Sequence, residues 1–146
     1  MEQLENVIKI FEQKSNKISK FEVDFIFEII FRWKISDSFP FFDILRMIVL
    51  DEEGAKRVFE KKEEMRKVLE KGLGSESTNA SQMMCFRLIC NSFRFFELRR
   101  VVEEMSEFIF DKISIFVESN SIPVRLSICT VLLKFFFFFL NFFYFF

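Results

Sequence analysis

Histidine is absent from all 146 residues. Its absence excludes zinc sites with mixed ligands, imidazole acid-base relays and the serine or cysteine triads built on histidine, and with them most common hydrolase chemistry. Only three cysteines occur, Cys85, Cys90 and Cys129, and none forms a Cys-x-x-Cys pair. Each lies in an apolar stretch of helical periodicity, so all three read as small core residues of a reducing compartment. An excess of positive charge is also missing. The 21 Lys and Arg against 22 Asp and Glu give a net charge of -1 and a pI near 5.7. A general nucleic-acid binder needs a basic surplus to neutralise phosphates, so nucleic acid is not an expected partner. The segment Met1-Glu2-Gln3-Leu4-Glu5 is acidic and amphipathic, without the basic start and apolar core of a secretory signal. Cytosol or nucleus is the expected location.

What is present is a hydrophobic fraction of 51% with 29% charge, enough for the packed core of one domain at this length. Within it a pattern recurs. The stretch Phe39-Pro40-Phe41-Phe42-Asp43-Ile44-Leu45-Arg46-Met47-Ile48 is echoed from Ser81 to Asn91, with Arg46 and Arg87, 41 positions apart, set in otherwise apolar helical stripes. A period of this size is the signature of stacked helical repeats, whose units bury their apolar faces only against neighbours.

Apolar spacing gives a short helix from Leu4 to about Gln13, then a second through Val23, Ile26, Phe27, Ile30 and Phe31 that ends near Trp33. Ile35 to Pro40 reads as a break, with Pro40 in the first turn of an inner helix from Phe41 to Leu50 that should be buried. A short helix from Ala55 to about Glu60, preceded by Asp51, Glu52 and Glu53, turns into a longer one over Lys62–Lys71. Gly72 to Ala80 is a loop. The unit then restarts: Ser81–Phe93 is the second inner helix, Phe96–Glu103 and Met105–Val117 are its companions, and Asn120-Ser121-Ile122-Pro123 leads into a third copy. The expected fold is all-α, an armadillo-like helical repeat solenoid of about two and a half repeats.

On this alignment Arg46, Arg87 and Thr130 share one ladder position, and Leu50, Asn91 and Lys134 the next, one turn on. Inner helices stacked in parallel would line Arg46, Arg87, Asn91 and Lys134 along one groove, where guanidinium, amide and ammonium groups can hold a peptide's carbonyls and carboxylates. Structural duties compete with that reading. The arginines could bridge acids such as Asp43 or lay their stems over apolar surface, and Asn91 could satisfy backbone groups of the next helix. Glu63-Glu64 and Glu103-Glu104 read as solvated charge and Asp43 as an orienting or helix-starting acid, so no enzyme, metal site or cofactor is expected.

Three islands in order, Phe39-Pro40 with Asp43-Ile44-Leu45-Arg46, then Gln82-Met83-Met84-x-x-Arg87-x-x-Cys90-Asn91, then Val124 to Leu133 with Thr130, resemble the PUL domain. That domain is an armadillo-type module of phospholipase A2-activating protein and its fungal counterparts. The resemblance implies an adaptor in ubiquitin-dependent catabolism that binds the acidic C-terminal tail of the AAA ATPase valosin-containing protein on a basic groove. Residues 1–134 are assigned to the N-terminal part of that domain, about half of the six or so repeats the resemblance implies, and 135–146 to a phenylalanine-rich, low-complexity tail.

The tail leaves two alternatives open. As one helix, residues 126–146 would span about 31 Å, close to a bilayer core. Lys134 in its middle costs about 3 kcal/mol, which phenylalanines at about -0.3 to -0.6 kcal/mol each can offset, so a tail-anchored membrane protein is permitted. A degenerate family fragment without a retained partner is the other.

Overall fold

The computed structural model describes residues 18–144. Among them are eight helices and no strand, as an all-α repeat requires. The helix expected between Leu4 and Gln13 lies outside the described residues.

Helix α1, Lys20–Arg32, opens on a capping box: the Glu22 carboxylate accepts from the Ser19 backbone N–H at 2.7 Å. It buries Val23, Ile26, Phe27 and Ile30, one stripe at helical spacing. Helix α2 runs Ile35–Ile48. The break expected from Ile35 to Pro40 is instead its first turns, with Pro40 inside the helix as its sixth residue, where the ring forfeits the bond its own N–H would make to the Ser36 carbonyl. Ser38 Oγ donates to the Lys34 carbonyl at 2.7 Å and steadies this start. Phe41, Phe42, Leu45 and Ile48 are buried, whereas Phe39 and Met47 stay exposed, so α2 is less enclosed than its composition suggests.

Asp51 caps helix α3, Glu52–Glu60, by accepting from the Gly54 N–H at 2.9 Å, with Glu52 and Glu53 at the positive end of the helix dipole. Helix α4, Lys62–Gly72, follows after a single residue and buries Met65, Val68 and Leu69. Its last residue marks a close approach: a Cβ on Gly72 would collide with Cys85 Sγ and lie 3.0 Å from Phe42 Cε1. The loop after it is short, and Thr78 caps helix α5, Asn79–Ser92, by accepting from Ser81 N at 3.2 Å. Helix α5 is buried on almost every side, through Cys85, Phe86, Leu88, Ile89 and Cys90.

The companions repeat. Helix α6, Phe96–Glu104, buries Leu98, Val101 and Val102, and helix α7, Ser106–Phe116, buries Ile109 and Ile113. Helix α8, Ile122–Tyr144, is one uninterrupted rod of 23 residues that carries the run of phenylalanines. The dominant packing is α2 on α5 and α5 on α8, with α3 on α6 beside them. The three inner helices therefore form a stack with α5 in its middle.

Along α8, among the side chains described, the buried hydrophobics are Val124, Ile128, Val131 and Phe135, spaced four, three and four residues apart. Phe135 sits edge-on to Phe93, with ring centroids 5.0 Å apart, and 4.9 Å from Phe110, so the first phenylalanine of the tail belongs to the core. The opposite face is open. Cys129 lies on it and is exposed, unlike Cys85 and Cys90, which corrects its reading as a core residue: no further layer covers that side of α8 among the described residues.

Candidate functional site

The polar contacts between layers follow the repeat. Asn91 Nδ2 donates to the Arg46 carbonyl at 2.8 Å, across 45 residues of sequence, and Lys71 Nζ reaches the Ile30 carbonyl at 2.5 Å across 41. The offsets match one repeat, so α5 lies over α2 as the ladder alignment requires. Arg46 stands in the last turn of α2, where the Leu50 N–H turns to the Met47 carbonyl instead of that of Arg46. The carbonyl that Asn91 takes up is thus one of the orphans a helix end leaves.

Of the structural duties considered for the ladder residues, Arg46 takes up Asp43, and Asn91 serves the preceding inner helix, not the next one. The Arg46 guanidinium is half-buried and folded onto Asp43, with Nη2 at 2.5 Å and Nε at 2.8 Å from Oδ1, the pairing that three-residue spacing on a helix allows. Asn91 has one amide N–H committed to the backbone. It retains a second N–H and the Oδ1 acceptor.

Arg87 and Lys134 differ from these two. Both are exposed, and among the described residues neither has an acidic partner. They stand on adjacent layers, α5 and α8. Burial pushes the Cys90 thiol up to about 12, and the charges of Lys134 and Arg87 both pull it back, so both cations lie within electrostatic reach of one sulfur. Cys90 Sγ in turn faces the Ser127 carbonyl of α8 at 4.0 Å. Thr130, aligned with the arginines, is exposed and its hydroxyl donates back to the Leu126 carbonyl at 2.9 Å.

The structure therefore joins Asn91 to the Arg46 carbonyl between α2 and α5, and it sets Arg87 on α5 and Lys134 on α8, both exposed and both felt by Cys90. A cleft of about 500 Å³ lies elsewhere, between α4 and the α6–α7 corner, lined by Arg66, Glu70, Glu104, Glu107 and Asp111, and one of about 370 Å³ lies on the outer face of α1. Glu104 is not simply solvated charge, since it pairs with Arg66 across the repeat. Among the described residues, two exposed cations without an acidic partner and an amide with hydrogen-bonding capacity to spare suit an extended, negatively charged chain.

A family-level comparison agrees with this architecture: the PUL domain matches residues 1–141. The chain belongs to the PUL domain family. PUL domains are protein-interaction modules, so protein binding is the general role of this fold. The match extends through Lys134 and Phe135 and ends within α8. No curated protein and no solved structure matches the chain.

Lys71 is the interlayer residue that sequence reasoning missed. Its Nζ gathers the carbonyls of Ile30, Phe31 and Trp33 at 2.5, 3.3 and 2.6 Å, closing the end of α1. Lysine in the last turn of its own helix carries no signal that it serves another.

Proposed function

We propose that this PUL domain holds an extended acidic peptide across α2, α5 and α8, and that the peptide is the C-terminal tail of the AAA ATPase valosin-containing protein. The chain would then act as an adaptor in ubiquitin-dependent protein processing, in the cytoplasm or nucleus. The observation that carries the reading is the pair Arg87 and Lys134, two exposed cations from successive layers with no acid of their own among the described residues. Carboxylates of the tail would take these two positions. Asn91 would offer its remaining N–H and Oδ1 to the peptide backbone between them, a donor and an acceptor at the spacing one extended residue presents. Arg46 contributes less, because Asp43 already occupies its guanidinium.

Fluorescence anisotropy of a labelled peptide carrying that tail tests this. A charge-assisted hydrogen bond contributes about 1.5–3 kcal/mol, so Arg87→Glu should weaken binding by roughly 10- to 100-fold, and added salt should weaken the unaltered chain. Arg46→Ala should have a smaller effect. Unchanged affinity in Arg87→Glu removes Arg87 from the site, and no binding by the unaltered chain sinks the proposal.

The tail-anchor alternative draws on the same helix. Ile122–Leu140 is long and apolar enough to cross a membrane, 19 residues with a mean hydropathy of 1.9. Crossing would strip Val124, Ile128, Val131 and Phe135 from α5 and open the core beneath them. The packing of α8 thus weighs toward the soluble adaptor.

A further inference from the structure

We propose that the exposed face of α8 pairs, antiparallel and about a two-fold axis, with the same face of a second copy of the chain. The pairing does not depend on any peptide in the groove.

Ile122, Leu126, Cys129, Leu133, Phe136 and Leu140 succeed one another at spacings of four, three, four, three and four. All six are exposed, Leu126 at 63% and Phe136 at 57%. This is an unbroken 3.5-residue repeat, the pattern that keeps an apolar seam in register with a partner helix. It runs along the side of α8 opposite the residues packed on α5. A bilayer surface would demand no such period.

The partner must be a helix of comparable length. At 23 residues α8 extends about 34 Å, and no other described helix exceeds 14 residues, so the matching rod is α8 itself. The area suffices as well. Large apolar side chains left about half open present on the order of 100 Å² each, so the seven of the stripe and its flanking Leu132 and Phe137 reach on the order of 700 Å² per copy, within the range of a stable interface.

Orientation follows from charge and register. Helix α8 has no acidic residue, and its cations Arg125 and Lys134 would stand level with their own copies in a parallel pair. The antiparallel arrangement separates them and opposes the helix dipoles. Centred on Val131, it sets Ile122 against Leu140 of the second copy, Leu126 against Phe136 and Cys129 against Leu133, so every seam residue finds one partner.

Sedimentation equilibrium of the full chain at micromolar concentration should give twice 17.7 kDa. Leu133→Glu should return the mass to 17.7 kDa with an unchanged helical circular dichroism spectrum, since Leu133 is exposed and lies outside the buried core. Oxidation of Leu133→Cys by copper phenanthroline in air should give a covalent dimer with Cys129 of the other copy, while the unaltered chain stays unlinked. A monomeric unaltered chain overturns the proposal, as does an aggregate that Leu133→Glu leaves intact. So does flotation of the unaltered monomer with neutral phosphatidylcholine vesicles. Equal cross-linking of the unaltered chain through Cys129 overturns the antiparallel register.

Discussion

Lys71 and Asn91 perform one task at two levels of the stack. Each reaches from its own helix to carbonyls at the end of a helix one layer away, Lys71 to α1 and Asn91 to α2, at 2.5 Å and 2.8 Å for the closest contacts. Unsatisfied carbonyls at a buried helix end cost free energy, and the cation also meets the negative end of the dipole, so the two residues should differ in weight. Lys71→Met is expected to lower stability by about 1.5–3 kcal/mol in urea unfolding and Asn91→Ala by about 0.5–1.5 kcal/mol. An effect of Lys71→Met below that of Asn91→Ala would show that the α1 carbonyls find water instead. Neither duty was unambiguous in sequence. The repeat offset placed Asn91 beside α2, but whether an amide in a ladder faces a ligand or a carbonyl depends on where α2 ends, and Pro40 drew attention to its beginning. Arg46 was the easier case, because Asp43 stands one turn away on the same helix.

At the scale of the element, helix faces were legible and helix ends were not. Val23, Ile26, Phe27 and Ile30 declare their stripe, and Met65, Val68 and Leu69 theirs, because burial against one neighbour imposes a 3.6-residue period. Ends depend on local hydrogen bonding that periodicity does not record, which is why Ile35–Ser38 joins α2 and why the phenylalanine run continues α8. Gly72 shows what a boundary conceals. Its missing side chain lets α4 close on α2 and α5 together, with Cys85 and Phe42 filling the space a Cβ would need. Gly72→Ala should therefore destabilise by about 1–3 kcal/mol despite the better helix propensity of alanine. Trimming the neighbour in Gly72→Ala/Cys85→Gly should cost less than the sum of the two single changes, a coupling that a thermal-unfolding double-mutant cycle reads directly. Additive effects would mean that Gly72 serves the chain turn at Leu73 and not the three-helix contact.

The whole molecule is a short one-dimensional array, and its stability should grade from the middle outward, because α5 is packed on both sides and α8 on one. The repeat period, the three inner helices and the inter-repeat pairing of α3 with α6 all follow from the 41- to 43-residue echo. The fate of the phenylalanine run does not. Low-complexity sequence has no face until a neighbour selects one, and here Phe93 and Phe110 select Phe135 while leaving Phe136 and Phe137 to solvent. That selection separates a folded end layer from an unstructured greasy tail. In a Leu133→Glu background, which removes self-association from the measurement, Phe135→Ala should cost about 3–5 kcal/mol, as expected of a buried aromatic emptied from a core. Phe137→Ala, at 57% exposure, should stay within about 0.5 kcal/mol of its parent. Hydrogen exchange should locate the loss: α8 amides lose protection in Phe135→Ala while α2 and α5 retain theirs, since the damage lies in a terminal layer. Equal costs at Phe135 and Phe137 would mean that the run packs without a preferred face. The open seam of α8, and with it the placement of Lys134, would then have no fixed position in the molecule.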